Sequence, residues 1–232
     1  TLAMPDPKGR DTCLWIEWLR DYVATANRFV QDHSIEVASD EEREQVSIKA
    51  ALYARALTLC EGALLRIEND RQLDFRIHAR GVIEAAMYLI ALDNDATFVG
   101  KMKDDDYKSR QSLARLHLNA MRSSASTDAV QQLEAFVAQG LQGAKAVETS
   151  KLLEGSPFER LYRTYRVISS DAEHVSITSL NRHYIENTND HSATLIVRPA
   201  LDDIDIQMTF SELGNSMIIA TLVLMKVKEK TE

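Results

Sequence analysis

Arg76, Arg80 and Glu84 follow one another at four-residue intervals inside the stretch FRIHARGVIEAAMYLIAL, residues 75–92. In an α-helix that spacing places all three on one face. A guanidinium beside a carboxylate can hold an anion, orient a hydroxyl or clamp neighbouring helices. Most other positions are apolar, among them Ile77, Ala79, Val82, Ile83, Met87, Leu89 and Ile90. A helix apolar nearly all round is a central one, so the charges it carries need partners in the interior. Arg80 precedes Glu84, the weaker order for a solvated pair; once buried, the two require further hydrogen bonds. Both a structural network and a functional pocket answer that requirement.

A second set lies in YRVISSDAEHVS. Arg166, Ser170 and His174 stand at i, i+4 and i+8, so an unbroken helix would present guanidinium, hydroxyl and imidazole together, a set that binds a phosphate and moves a proton near pH 7. The polar run Ser169-Ser170-Asp171 predicts a bend that interrupts this register, and a lone histidine is more often structural. The same bend offers chemically suitable partners to Arg80 and Glu84, so Arg80, Glu84 and His174 are expected to converge. In the catalytic version His174 acts as general acid or base, Arg166 or Arg80 holds the phosphate and Glu84 orients the imidazole. Arg80, Arg166, Ser169 and Ser170 then form the phosphate-binding set. Glycine-rich nucleotide loops, a Gly-x-Ser-x-Gly elbow and metal-ligand spacings are absent from the sequence; His183 and His191 sit in a turn-like region. No metal and no cofactor is expected.

The elements that position these residues are helices. Apolar side chains at helical spacing predict a first helix over 11–33, and Ser39 with Glu42 forms a capping-box pattern that opens a second, running to about 69. The Arg/Glu helix is third. The polar link DNDATFVGKMKDDD leads to a fourth helix at 106–122, with Asp104–Asp106 at its positive end. A weak helix over 128–153 is interrupted by Gly140 and Gly143. Ser156-Pro157-Phe158-Glu159 reads as a capped start of a helix that bends near 169–171 and resumes to 184. The alternation in SATLIVRP predicts a short hairpin or extended arm near 192–199, within an arm spanning 185–206. A last helix covers 209–228. The expected fold is all-α: a single domain over 1–232, its core at about 11–184, built as a bundle of six to eight helices plus the small hairpin.

Bulk composition agrees. Only 8 glycines and 4 prolines in 232 residues leave few turns, and 45% hydrophobic with 27% charged residues is the balance of a globular protein. A net charge of −8 argues against broad non-specific DNA binding. Cys13 and Cys60 make neither a disulfide framework nor a zinc knuckle. The N-terminal TLAMPDPKGRD lacks a hydrophobic signal core, and the apolar run 217–225 is about half a membrane span. A cytoplasmic protein without membrane contact is expected. Two apolar terminal helices, the first bearing Trp15, Trp18, Tyr22 and Phe29, predict a homodimer.

At ARGVIEAAMYLIALDND and YRVISSDAEHVS the chain resembles an uncharacterised bacterial branch of the HEPN-like helical proteins, with Arg80 and Glu84 matching an R-x-x-x-E element and Ser169 and His174 an S-x-x-x-x-H element. The resemblance spans roughly residues 45–185. It implies a helical bundle and, for many HEPN proteins, metal-independent ribonuclease activity in toxin–antitoxin or phage-defence systems, through an Arg-x4–6-His motif at a dimer interface. Arg28–His33, Arg71–His78 and Arg110–His117 fit that spacing, of which about one pair is expected by chance in such a chain; Arg166 and His174 are one residue too far apart. Two functions follow. One is a non-catalytic module that binds a partner protein or small ligand around a fixed Arg–Glu–His network; the other is a ribonuclease or nucleotide-acting enzyme.

Overall fold

The computed structural model describes residue 4 and residues 12–32, 40–121, 124–139, 145–170, 176–187 and 192–229. Its α-helices are α1 (Thr12–Asp32), α2 (Asp40–Glu68), α3 (Gln72–Asn94), α4 (Phe98–Met121), α5 (Thr127–Ala138), α6 (Glu159–Ile168), α7 (Ile177–Leu180) and α8 (Asp203–Glu229). The strands β1 (Tyr184–Asn187) and β2 (Ser192–Leu195) form one antiparallel pair, Tyr184 opposite Leu195. The chain is all-α with one small hairpin, as its sequence predicts. The described residues fall into two compact units, one formed by residues up to 94 together with 152 onward, the other by residues 95–151.

In the larger unit α3 is the central element. Phe75, Ala79, Val82 and Leu89 enter a core shared with Trp15, Trp18 and Leu19 of α1, Tyr53 and Cys60 of α2, and Phe210, Leu213 and Met217 of α8. Ile83, Met87 and Ile90 enter a second cluster with Leu161, Tyr165 and Ile168 of α6. Apolar side chains all round the helix are thus consumed by neighbours on both sides. Glycine permits the close approach of α2 to α3: a Cβ on Gly62 would stand 2.4 Å from the His78 ring, and one on Gly81 2.9 Å from Leu59.

The aromatic face of α1 is covered in part within the protomer. Trp15 stacks on Phe210 with centroids 5.9 Å apart and packs edge-on against Trp18 at 6.0 Å. Of the four aromatic residues on that face, Trp15 and Trp18 are buried in the core shared with α8, while Tyr22 and Phe29 remain partly exposed. That last helix begins at Asp203 rather than 209, because the Asp202 carboxylate caps it by accepting the Asp205 N–H at 2.7 Å. Counted from there, Asp203–Lys226 is long and apolar enough to cross a membrane by length and composition, not half the length required; 61% of its apolar window is buried inside the protein, as in a core helix.

The smaller unit corrects the reading of the acidic run. The fourth helix starts at Phe98, eight residues ahead of the predicted 106, so Asp104–Asp106 sit inside it. The start signal is Asp95: its carboxylate accepts the Thr97 N–H at 2.9 Å and hydroxyl at 2.7 Å. Hydrogen bonds from Lys101 first, then Thr97, hold that carboxyl at about 2. Asp105 accepts the Val147 N–H at 3.0 Å, Gln111 donates to the Val137 carbonyl at 2.9 Å, and Tyr107 meets Phe136 at 5.3 Å. The helix predicted over 128–153 is instead α5, ending at Ala138, and one short turn at Thr149–Lys151.

Two further boundaries differ. Ser156 caps a turn, its hydroxyl accepting the Phe158 N–H at 3.2 Å, and α6 itself starts at Glu159. The helix expected to resume up to 184 is only the four residues of α7 and a turn at Asn181–His183, after which Tyr184 enters β1. Pairing with β2 outweighs the weak helical preference of a Tyr-Ile-Glu-Asn segment. Ser39, Gly140, Gly143, Asp171, His174 and His191 lie outside the described residues.

Candidate functional site

The face of α3 that carries Arg76, Arg80 and Glu84 begins one turn earlier, with Gln72, whose side-chain carbonyl accepts the Leu201 N–H at 2.7 Å. One turn on, Arg76 is fully buried and meets Asp205 of α8 at 2.7 Å. Asp205 also accepts Arg182 Nη2 at 2.6 Å. Burial by itself would push the Asp205 carboxyl up; the hydrogen bonds from Arg76 and Arg182 outweigh it and hold the group below the usual carboxylate range.

Arg80 meets different chemistry. Its Nε donates to Ser169 Oγ at 2.6 Å and its Nη2 to Tyr165 Oη at 2.5 Å. The Tyr165 hydroxyl donates onward to Glu84 Oε1 at 3.3 Å, and Ser169 Oγ donates to the Tyr165 carbonyl at 2.7 Å. The guanidinium lies over the tyrosine ring, Cζ 4.4 Å from its centroid, a cation–π contact. Glu84 itself stands 3.8 Å from Arg80 Nη1, beyond hydrogen-bond distance, with 32% of its side chain exposed against 14% for Arg80. The donors run in one direction, from guanidinium through hydroxyl to carboxylate.

Of the sequence-predicted site residues, Arg80, Glu84 and Ser169 are brought together. Arg166 and Ser170 are exposed on α6 and the turn that follows it; Ser170 donates its hydroxyl to the Val167 carbonyl at 2.8 Å and its own carbonyl accepts Ser176 Oγ at 2.7 Å. The regular α-helix ends at Ile168; the rest of the bend expected at 169–171, and His174 with it, lies outside the described residues. Tyr165 was overlooked by sequence reasoning, although it stands four residues before Ser169 and so shares its helical face. Arg182 and Asp205 were overlooked too, and no local pattern links them to Arg76.

A family model matches residues 46–192, a segment that contains Arg80, Glu84, Tyr165 and Ser169. The chain belongs to this family of unknown function, DUF5677. No curated protein and no solved structure matches it.

Elsewhere in the larger unit a cavity of about 290 Å³ opens between α1, α2 and α8, walled by Trp18, Tyr22, Phe29, Tyr53, Ile218 and Met225 among others. Burial pushes the Tyr22 hydroxyl well above the ordinary tyrosine range and raises that of Tyr53. The Cys60 thiol is raised to about 12 by burial and is an inert core group. On α8, Glu212 is almost fully buried and takes Arg160 of α6 at 2.5 Å as its ion-pair partner.

Proposed function

We propose that the protein is a non-catalytic helical binding module, HEPN-like in ancestry, in which the polar face of α3 clamps α6 and α8 while the bundle core receives a small ligand. The observation that supports this is the closure of the Arg80 network: Nε and Nη2 are directed to Ser169 and Tyr165 of α6, so binding an anion there means breaking bonds that join two helices. The cavity between α1, α2 and α8 has the apolar walls and few polar groups of a ligand site.

One observation favours the second reading, a metal-independent ribonuclease or nucleotide-acting enzyme. Two of the partners that Arg80 holds are the neutral hydroxyls of Ser169 and Tyr165, which a phosphate can displace. Incubation of the protein with total cellular RNA and a nucleotide panel separates the two. The binding-module reading expects no turnover by the wild type and a loss of stability in Arg80→Ala. Turnover that Arg80→Ala or His174→Ala abolishes, with the melting temperature unchanged, establishes the enzyme instead.

A further inference from the structure

Glu212 is the one buried carboxylate among the described residues, its side chain 2% exposed. The cation that faces it, Arg160 Nη2 at 2.5 Å from Oε1, belongs to a side chain that is 72% exposed. Oε1 accepts no hydrogen bond, from Arg160 or from any other group, although a carboxylate has room for several donors. A buried charge that is paired without being hydrogen-bonded leaves much of its desolvation cost unrecovered, and an arginine standing mostly in water recovers little of it. For clamping α6 to α8 alone, an apolar residue often serves as well. Beside this carboxylate a pocket of about 240 Å³ opens between the start of α6 and α8. Phe158, Leu161, Ile218 and Ile219 give it apolar walls, and Arg160 and Glu212 are its only charged side chains among the described residues.

We propose that this pocket binds a small organic cation, a primary amine on an apolar body, whose ammonium displaces Arg160 and donates its N–H groups to Glu212. An ammonium brings three donors at one point and needs no alignment of a planar fork, so it can supply the hydrogen bonds that Oε1 lacks. The displaced arginine goes into water, where most of its side chain already lies. The apolar body of the ligand covers the walls that Phe158, Leu161, Ile218 and Ile219 expose to the pocket. An anion would meet Glu212 as a like charge, and a neutral molecule would bury the carboxylate further without a counter-charge. At about 30 Å³ for each water, the pocket has room for roughly eight waters or a ligand of on the order of ten heavy atoms. The site goes beyond the binding-module reading: it requires neither a ligand in the α1, α2 and α8 cavity nor any role for Arg80.

The test compares 2-phenylethylamine, protonated at neutral pH, with 2-phenylethanol, uncharged and of the same size, by calorimetric titration of the full chain. The amine is expected to bind saturably and about tenfold or more tightly than the alcohol, the margin of a charge-assisted hydrogen bond in a desolvated site. Glu212→Gln keeps the shape, removes the charge and brings that ratio close to one. Arg160→Ala changes an exposed side chain, removes the competing cation and is expected to tighten the amine severalfold. A purely structural ion pair predicts the reverse for Arg160→Ala, a less stable protein with no gain in affinity. Equal binding of the two probes, no saturable binding of the amine, an undiminished preference in Glu212→Gln, or an amine affinity in Arg160→Ala no higher than in the wild type overturns the proposal. Should Glu212→Gln not fold, the Arg160→Ala titration decides alone.

Discussion

Arg76 and Arg80 are the same residue type on the same face of the same helix, one turn apart, and they occupy opposite environments. Arg76 is sealed and faces Asp205 at 2.7 Å, a carboxylate that also binds Arg182. Arg80 is partly open, meets two hydroxyls and an aromatic face, and has the Glu84 carboxylate 3.8 Å away. The difference comes from what packs against each turn: the first turn of α8 at Arg76, the end of α6 at Arg80. A buried guanidinium with a contact carboxylate is a lock, because removing either charge leaves the other unpaired in a poor dielectric. A guanidinium that is partly open and holds hydroxyls loses less when one partner is removed, since water can replace that partner.

The comparison breaks first at Asp205. Asp205→Ala removes a contact carboxylate from the buried Arg76 and from Arg182 and is expected to cost about 3–5 kcal/mol, read as a lower urea midpoint at unchanged m-value. A loss below about 1 kcal/mol would mean that Arg76 finds other company and is not a lock. Arg80→Ala should cost less, about 1–3 kcal/mol for two charge-assisted hydrogen bonds and the ring contact. Arg80→Lys is expected to recover only part of that loss, since an ammonium cannot reach Ser169 and Tyr165 through a planar fork.

Acid titration sharpens the contrast. The folded pKa of Asp205 lies below its unfolded value near 4, so its contribution is complete above that value and disappears as the pH falls through the lower folded one. Asp93, which burial raises but Lys226 and Lys49 pull down more strongly, behaves in the same sense at the far end of α3. The wild type should therefore lose stability on acidification below about pH 4, and Asp205→Asn should show a flatter profile there. Two equally steep profiles would remove Asp205 from the account. The smallest effects belong to the open end of the stripe. Tyr165→Phe keeps the ring under Arg80 and removes one hydroxyl, for about 0.5–1.5 kcal/mol. Glu84→Gln, at a third exposed and with long contacts, should cost about 0.5–1 kcal/mol. A larger loss at Glu84 than at Asp205 would invert the comparison.

How far these features were legible in the chain depends on their range. Helical periodicity is local, and it placed α1, α2 and α3 within about three residues at each end. Boundaries failed where a polar run resembling a helix start is not the group that caps the helix. Asp104-Asp105-Asp106 looks like a charged N-terminus, but Asp95 closes the turn first. Ser156-Pro157 looks like a cap, but its hydroxyl is engaged in a turn that precedes α6. The four-residue spacing of Arg76, Arg80 and Glu84 sufficed to place them on one interior face and to require partners for them.

The identity of those partners was a different matter. Ser169 could be named because the bend after α6 is a visible run of polar residues; Tyr165, Arg182 and Asp205 could not, since contacts spanning 85 residues from Arg80 to Tyr165, or from Arg76 across to α8, leave no periodic trace. The same holds for the terminal helices. Their composition determined that an aromatic face on α1 and an apolar α8 must be covered, and only the packing decided that they cover each other, Trp15 on Phe210, with a cavity left between them where Tyr22, Tyr53 and Thr221 meet. Hydrophobicity is a property of each residue and dictates that burial occurs; which surfaces are buried together, and where the fit leaves space, depends on shapes that exist only once the helices are assembled.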